Sequence, residues 1–133
     1  MTFIYPGVLV PRAKGDGGFT VEFPDLEGIH TEGKDLEEVI RLGTDLASRW
    51  ILNRIEEGRQ VPPATDYRKV ECEDNGMVNL FALDMDFYGE KYGEKSVRKN
   101  LTIPAWLNTY AEKNNVNFSQ VLQDALLRMS QGR

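Results

Sequence analysis

Three side chains near the C-terminus have the types and spacing to read a nucleic acid. Arg98, Asn100 and Thr102 alternate with Val97, Lys99, Leu101 and Ile103, and in an extended segment every second residue shares a face. In a DNA major groove Arg pairs with guanine N7 and O6, and Asn with adenine N6 and N7. Thr hydrogen-bonds or touches a thymine methyl. The opposite face, Val97, Leu101 and Ile103, is apolar, with Lys99 the exception. Further on, Asn117 followed by Gln120 predicts a helix start. Backbone amides there, near Phe118 and Ser119, suit a phosphate.

Other residues could do metal or nucleophilic chemistry, but their spacing argues against it. A two-metal nuclease needs three or four carboxylates that converge. Asp84 and Asp86 share one face of an expected strand, while Asp16, Glu22 and Asp25 stand in other strands or loops. Asp16 lies inside a glycine turn, and no spacing forces the set together. His30 and Cys72 have no partners at ligand or triad spacing and read as strand residues. Gly89-Glu-Lys-Tyr-Gly93-Glu-Lys95-Ser96 departs from the phosphate-loop pattern, with three residues between its glycines and Glu94 before the lysine. It reads as a linker over 89–95. No catalytic residue, metal or cofactor is expected.

The elements that must position Arg98, Asn100 and Thr102 are few. Residues 96–103 form one strand, which Pro104 ends; that proline suits the first turn of a helix carrying Leu107, Tyr110 and Ala111. After Asn114-Asn115, Phe118, Val121, Leu122, Ala125, Leu126 and Met129 follow helical spacing. One strand and two short helices cannot bury a core alone, and a lone strand leaves its backbone unpaired. The economical solution is a homodimer in which two copies of 96–103 pair antiparallel, with further contacts between N-terminal units able to join dimers into a tetramer. Val97, Leu101, Ile103, Leu107, Val121 and Leu122 then form the shared core, and six polar side chains face outward.

Residues 1–88 read as a separate α+β unit. Phe3-Ile4-Tyr5 and Val8-Leu9-Val10 suggest a strand interrupted or bulged at Pro6-Gly7, and Gly15 to Gly18 a turn. Phe19, Val21 and Phe23 alternate as a half-buried strand does, and Ile29 to Glu32 suggests a short third one. Asp35 with Glu38 marks a helix start. Leu36, Val39, Ile40, Gly43, Ala47, Trp50 and Ile51 then recur at helical spacing up to Gly58 and Pro62-Pro63. Val70 and Cys72 suggest another strand, Asn75-Gly76 a hairpin turn, and Met77 to Phe87 the strand after it.

Charge divides the chain in the same place. Residues 1–93 carry 10 Lys/Arg against 18 Asp/Glu, a balance of −8, whereas residues 94–133 carry 6 against 3, a balance of +3. An acidic body on a basic tail suits two partners of opposite sign. No apolar run approaches the roughly 18–20 residues of a membrane span. The N-terminal residues lack a basic region and cleavage site, and the single cysteine forms no internal disulfide. A cytoplasmic protein is expected.

Over about 38 residues, this strand–Pro–helix–turn–helix pattern resembles the ribbon-helix-helix family of DNA-binding proteins. Its base-reading positions fall on Arg98, Asn100 and Thr102, and its phosphate-anchoring helix start on Asn117, Phe118 and Ser119. Phe23-Pro24-Asp25-Leu26-Glu27-Gly28, Thr31-Glu32-Gly33, Leu36-Glu37-Glu38 and Pro62-Pro63 are similar to the HicB antitoxin family over about residues 3–65. That resemblance implies a partial RNase H-like fold without catalysis, neutralisation of a small RNA-cleaving HicA toxin, and repression of the operon. Glu22, Asp25 and Glu27 are candidates to face such a basic toxin. Alternatively, Pro24-Asp25 makes a turn and cap with Glu27 solvated. The leading rival function is a ribbon-helix-helix repressor whose N-terminal unit senses a small ligand in an apolar pocket.

Overall fold

Alternating apolar residues and one amphipathic helix organise the N-terminal part. The computed structural model describes residues 1–13, 15–93 and 97–130. Four strands, β1 (Thr2–Pro11), β2 (Phe19–Phe23), β3 (Ile29–Gly33) and β4 (Met77–Asp84), form an antiparallel sheet in the order β3-β2-β1-β4. Helix α1 (Leu36–Glu56) lies on one face, and α2 (Met85–Tyr92) follows β4 directly. Two further helices, α3 (Ala105–Lys113) and α4 (Phe118–Ser130), complete the mixed α+β architecture.

The core forms where β-period and helical-period apolar residues meet. Phe3, Tyr5 and Leu9 of β1, Val21 and Phe23 of β2, and Phe81 and Leu83 of β4 are buried with Val39, Ala47 and Ile51 of α1. Phe23 and Phe81 meet edge to face, with ring centroids 4.9 Å apart. Gly43 lets α1 approach closely, since a Cβ there would stand 3.0 Å from Val21 Cγ1. Asp35 caps α1 as expected, accepting from the Glu38 N–H at 2.8 Å; Glu38 Oε1 accepts from the Lys34 N–H at 3.2 Å.

Three sequence expectations are corrected. β1 runs unbroken through Pro6 and Gly7. Its even-numbered residues face β2, as the Arg12 N–H to Gly18 carbonyl bond shows, and its odd-numbered residues face β4, as the Met85 N–H to Met1 carbonyl bond shows. Pairing with β2 begins only at Val8, so the N–H that Pro6 lacks would have pointed past the end of β2. Val70 and Cys72 form no strand: both follow a short 3-10 turn at Tyr67–Lys69, and Cys72 is exposed. The turn at Asn75-Gly76 therefore joins no hairpin, although the Gly76 N–H does donate to the Glu73 carbonyl. Finally, β4 stops at Asp84, whose carboxylate accepts from the N–H groups of Asp86 and Phe87 and starts α2. Alternation alone could not show that cap.

Helix α2 carries Gly89 to Tyr92, the first part of the expected linker. Gly93 caps that helix, whereas Glu94 and Lys95 of the linker and Ser96 of the expected strand lie outside the described residues, as does Lys14. Residues 97–104 form no ladder with the other described residues. Pro104 sits at the cap of α3, one position before the helix proper. Asn117 caps α4 as expected, accepting from the Gln120 N–H at 3.1 Å.

Candidate functional site

The segment Phe23 to Gly28 turns the chain between β2 and β3, and each residue type has a local reason. Phe23 and Leu26 are fully buried in the core. Pro24 opens a 3-10 turn, Glu27 and Gly28 are left-handed at φ 59° and 70°, and the Gly28 N–H closes on the Phe23 carbonyl at 3.1 Å. Asp25 reaches across to the segment after α1. Its two oxygens accept from the Thr65 N–H at 2.9 Å and the Thr65 hydroxyl at 2.6 Å. Glu27 receives Arg54 Nη1 at 3.3 Å, while Arg54 also donates to the Gln60 carbonyl and lies 5.1 Å over the Trp50 ring.

The same 61–65 segment is tied to β1. The buried Tyr5 hydroxyl donates to the Pro62 carbonyl at 2.6 Å. Burial, with the Asp25 carboxylate adding to it, pushes that phenol up to about 12. A shallow cleft of about 140 Å³ lies here, lined by Phe3, Ile4, Tyr5 and Val61 to Ala64. Typical small-ligand pockets run from about 300 to 1,000 Å³, so this cleft gives a ligand sensor little room.

Glu22 stands elsewhere, exposed on the sheet face away from α1, directly across from His30 of β3. Its carboxylate has no hydrogen-bond or ion-pair partner among the described residues. The candidate nuclease carboxylates do not converge. Asp16 binds Arg12 and the Gly18 N–H, which chiefly holds its carboxyl below the usual range. Asp25 holds Thr65, Asp84 caps α2, and Asp86 pairs with the N-terminal amine at 2.8 Å. Among the described residues no group of three or more His, Cys, Asp or Glu could hold a metal ion.

In the C-terminal part, Arg98, Asn100 and Thr102 are all exposed. So are the apolar residues opposite them: Val97 is 75%, Leu101 68% and Ile103 40% exposed, with Leu107, Val121 and Leu122 also open. Asn117, Phe118 and Ser119 form the exposed start of α4. A backbone hydrogen bond ties this part to the other: the Val61 N–H donates to the Ser130 carbonyl at 2.8 Å. Sequence reasoning did not anticipate that bond, because both ends are backbone groups.

Residues 5–125 match the family described as HicB-like antitoxin of bacterial toxin-antitoxin system. The chain belongs to the HicB-like antitoxin family. Solved structures share the fold of this HicB-like chain. A toxin–antitoxin complex from Streptococcus pneumoniae aligns over 97% of this chain and 99% of the other, at 23% identity and a TM-score of 0.61. The antitoxin HicB of Burkholderia pseudomallei aligns over 94% and 96%, at 18% identity and a TM-score of 0.62. The crystal structure of antitoxin HicB3 aligns over 96% and 97%, at 23% identity and a TM-score of 0.59. No curated protein matches the chain. Among the described residues no helix is long and apolar enough to cross a membrane.

Proposed function

We propose that this HicB-like chain neutralises a small basic RNA-cleaving toxin of the HicA type through residues 1–88. We propose also that it represses its own operon through a ribbon-helix-helix dimer formed by residues 96–133. The observation that carries the second half is the exposed apolar set Val97, Leu101, Ile103, Leu107, Val121 and Leu122. All six are the positions expected to be shared between two copies. An apolar surface of this kind is costly in water, and a second copy covers it while supplying the missing partner for the unpaired backbone of 97–103. Arg98, Asn100 and Thr102 from both copies would then read the major groove, and the first turn of α4 would anchor a phosphate.

The balance of −8 over residues 1–93 supports a basic toxin as the other partner, since opposite charge speeds association. The sheet with one long helix is read as a partial RNase H-like unit that acts by binding and not by catalysis, in the cytoplasm. Co-expression with the toxin encoded beside this gene, together with operator binding by gel shift, tests the reading. Growth rescue by the parent chain and weakened operator binding in Arg98→Ala are expected. Continued growth arrest, or undiminished DNA binding by that variant, would overturn the corresponding half.

A further inference from the structure

We propose that residues 60–65 act as a strap that seats the end of α4 on the N-terminal unit, held and released by the acidic turn over 23–28. Residues 60–65 have no regular secondary structure, yet one polar group after another is bonded to a different part of the chain. The Gln60 carbonyl accepts from Arg54 Nε of α1 at 2.9 Å, and the Val61 N–H donates to the Ser130 carbonyl of α4 at 2.8 Å. The Pro62 carbonyl accepts from the Tyr5 hydroxyl of β1 at 2.6 Å. Thr65 donates its N–H and hydroxyl to Asp25 at 2.9 and 2.6 Å.

Two of these grips lead back to the same turn. Asp25 holds Thr65 directly, while Glu27 Oε1 accepts from Arg54 Nη1 at 3.3 Å, the arginine that holds Gln60. The turn therefore grips the strap at both ends, and α4 is seated between them. The strap is also stiff. Pro62 and Pro63 fix φ near about −65° and have no N–H, and Val61 and Pro62, each before a proline, are held extended. Val61 thus supplies the one backbone donor of residues 61–63, and that donor goes to α4. Its side chain is buried in the core. Slack chain would absorb the loss of a grip locally, whereas a stiff segment passes it on to its neighbours.

α4 gains from the contact because a helix leaves its last carbonyls without partners inside the helix. The half-covered residues of α4 are Asp124, Leu127 and Ser130, three apart on one side, while Val121, Leu122, Leu126 and Met129 stay exposed. Docking therefore leaves open the face assigned to the ribbon dimer, and the two contacts do not compete. A basic partner that drew Asp25 and Glu27 to itself would loosen both grips and free the end of α4. That link to regulation rests on the functional reading above, which places the toxin on one unit and the operator on the other; the strap itself does not.

Amide hydrogen exchange on the full chain tests the coupling in both directions, since coupling between two sites is reciprocal. In the parent, the amides of Val61 and Thr65 should both be protected. In Asp25→Ala the Val61 amide should exchange roughly tenfold faster, beyond any change at Ile51 within α1, although Asp25 bonds to neither Val61 nor Ser130. Ser130→Pro, which frays the last turn of α4, should in turn speed the Thr65 amide and leave that of Arg12, bonded to the Gly18 carbonyl, unchanged. The Val116 amide, bonded to the Ala111 carbonyl, shows whether α3 and α4 stay folded. If they do not, Ser130→Gly, which removes the hydroxyl bond to the Leu127 carbonyl, should give the same change at Thr65 to a smaller degree. An unprotected Val61 amide in the parent would overturn the proposal. So would a Val61 amide that Asp25→Ala changes no more than Ile51, or a Thr65 amide indifferent to the end of α4. None of these readings uses toxin or operator, so a chain with coupled amides that failed to bind either would sink the functional reading and keep the strap.

Discussion

Replacing Asp25 by Ala asks whether an acid in the family-like segment serves the fold or the partner. Its two oxygens hold Thr65 by bonds of 2.9 and 2.6 Å, joining the turn after β2 to the segment after α1. Hydrogen bonds to a charged group are worth about 1.5–3 kcal/mol each when buried. Asp25 is half-buried, so the pair together contributes roughly 2 kcal/mol. Thr65→Ala removes only the hydroxyl bond and should cost roughly 1 kcal/mol. The double variant should be little worse than Asp25→Ala, because the shared bond is lost once.

Urea unfolding of the full chain, followed by Trp50 fluorescence in a Trp106→Phe background, reads this directly. With an m-value near roughly 1.5 kcal/mol/M, Asp25→Ala should lower the midpoint by about 1.3 M. Toxin affinity should fall in the same order as stability, Asp25→Ala more than Thr65→Ala. If Asp25→Ala left the midpoint unchanged yet abolished toxin binding, while Thr65→Ala did neither, the reasoning would be refuted. The carboxylate would then belong to the partner.

Other predictions test separate parts of the molecule. Tyr5 holds its proton up to about 12, above its ordinary 10. Its stabilising contribution is therefore complete below pH 10 and lost as the pH rises from 10 to 12, a fall of roughly 3 kcal/mol. Tyr5→Phe should flatten that fall in an alkaline unfolding series and cost about 1 kcal/mol at neutral pH. Ser48 is fully buried with no hydrogen-bond partner for its hydroxyl among the described residues. Ser48→Ala should thus stabilise the chain by about 1 kcal/mol in thermal or urea unfolding, and a loss of stability would show the hydroxyl is satisfied. Arg98→Ala and Asn100→Ala should each weaken operator binding by about 1–3 kcal/mol with toxin binding intact, measured by fluorescence anisotropy at fixed salt. Leu101→Asp should abolish operator binding outright, because its charge would enter the shared apolar core without a partner; retained specific binding would exclude an obligate ribbon.

Much of the fold was legible because it rests on periodicity and caps. The alternation of Phe19, Val21 and Phe23 and the helical spacing from Val39 to Ile51 were enough to place β2 and α1. Asp35 and Asn117 placed two helix starts. The errors have physical causes as well. Pro6 looked like a break because the missing N–H matters only where a neighbouring strand needs it, and that depends on where β2 ends. Val70 and Cys72 alternate over too few residues to separate a strand from an exposed loop. Asp84 ended β4 through its side-chain cap, where the apolar residues on either side suggested continuation to Phe87. Distance pairs such as Asp25 with Thr65, or Val61 with Ser130, leave no local signal at all.

Those occupied carboxylates change how the acidic surface should be understood. Asp25 is bound to Thr65 and Glu27 to Arg54, so releasing either to a toxin would first break an existing contact. Glu22 has no such contact among the described residues, and it lies on the far face of the sheet. Three acids close in sequence are therefore unequal in what they can offer. The balance of −8, spread over residues 1–93, attracts a basic partner without requiring any one of them. Salt should then slow association with the toxin while changing dissociation little. Glu22→Gln should lower the association rate only by the fraction its single charge contributes. A loss of binding confined to the dissociation rate would instead place Glu22 inside a desolvated contact, with a specific cation of the toxin against it.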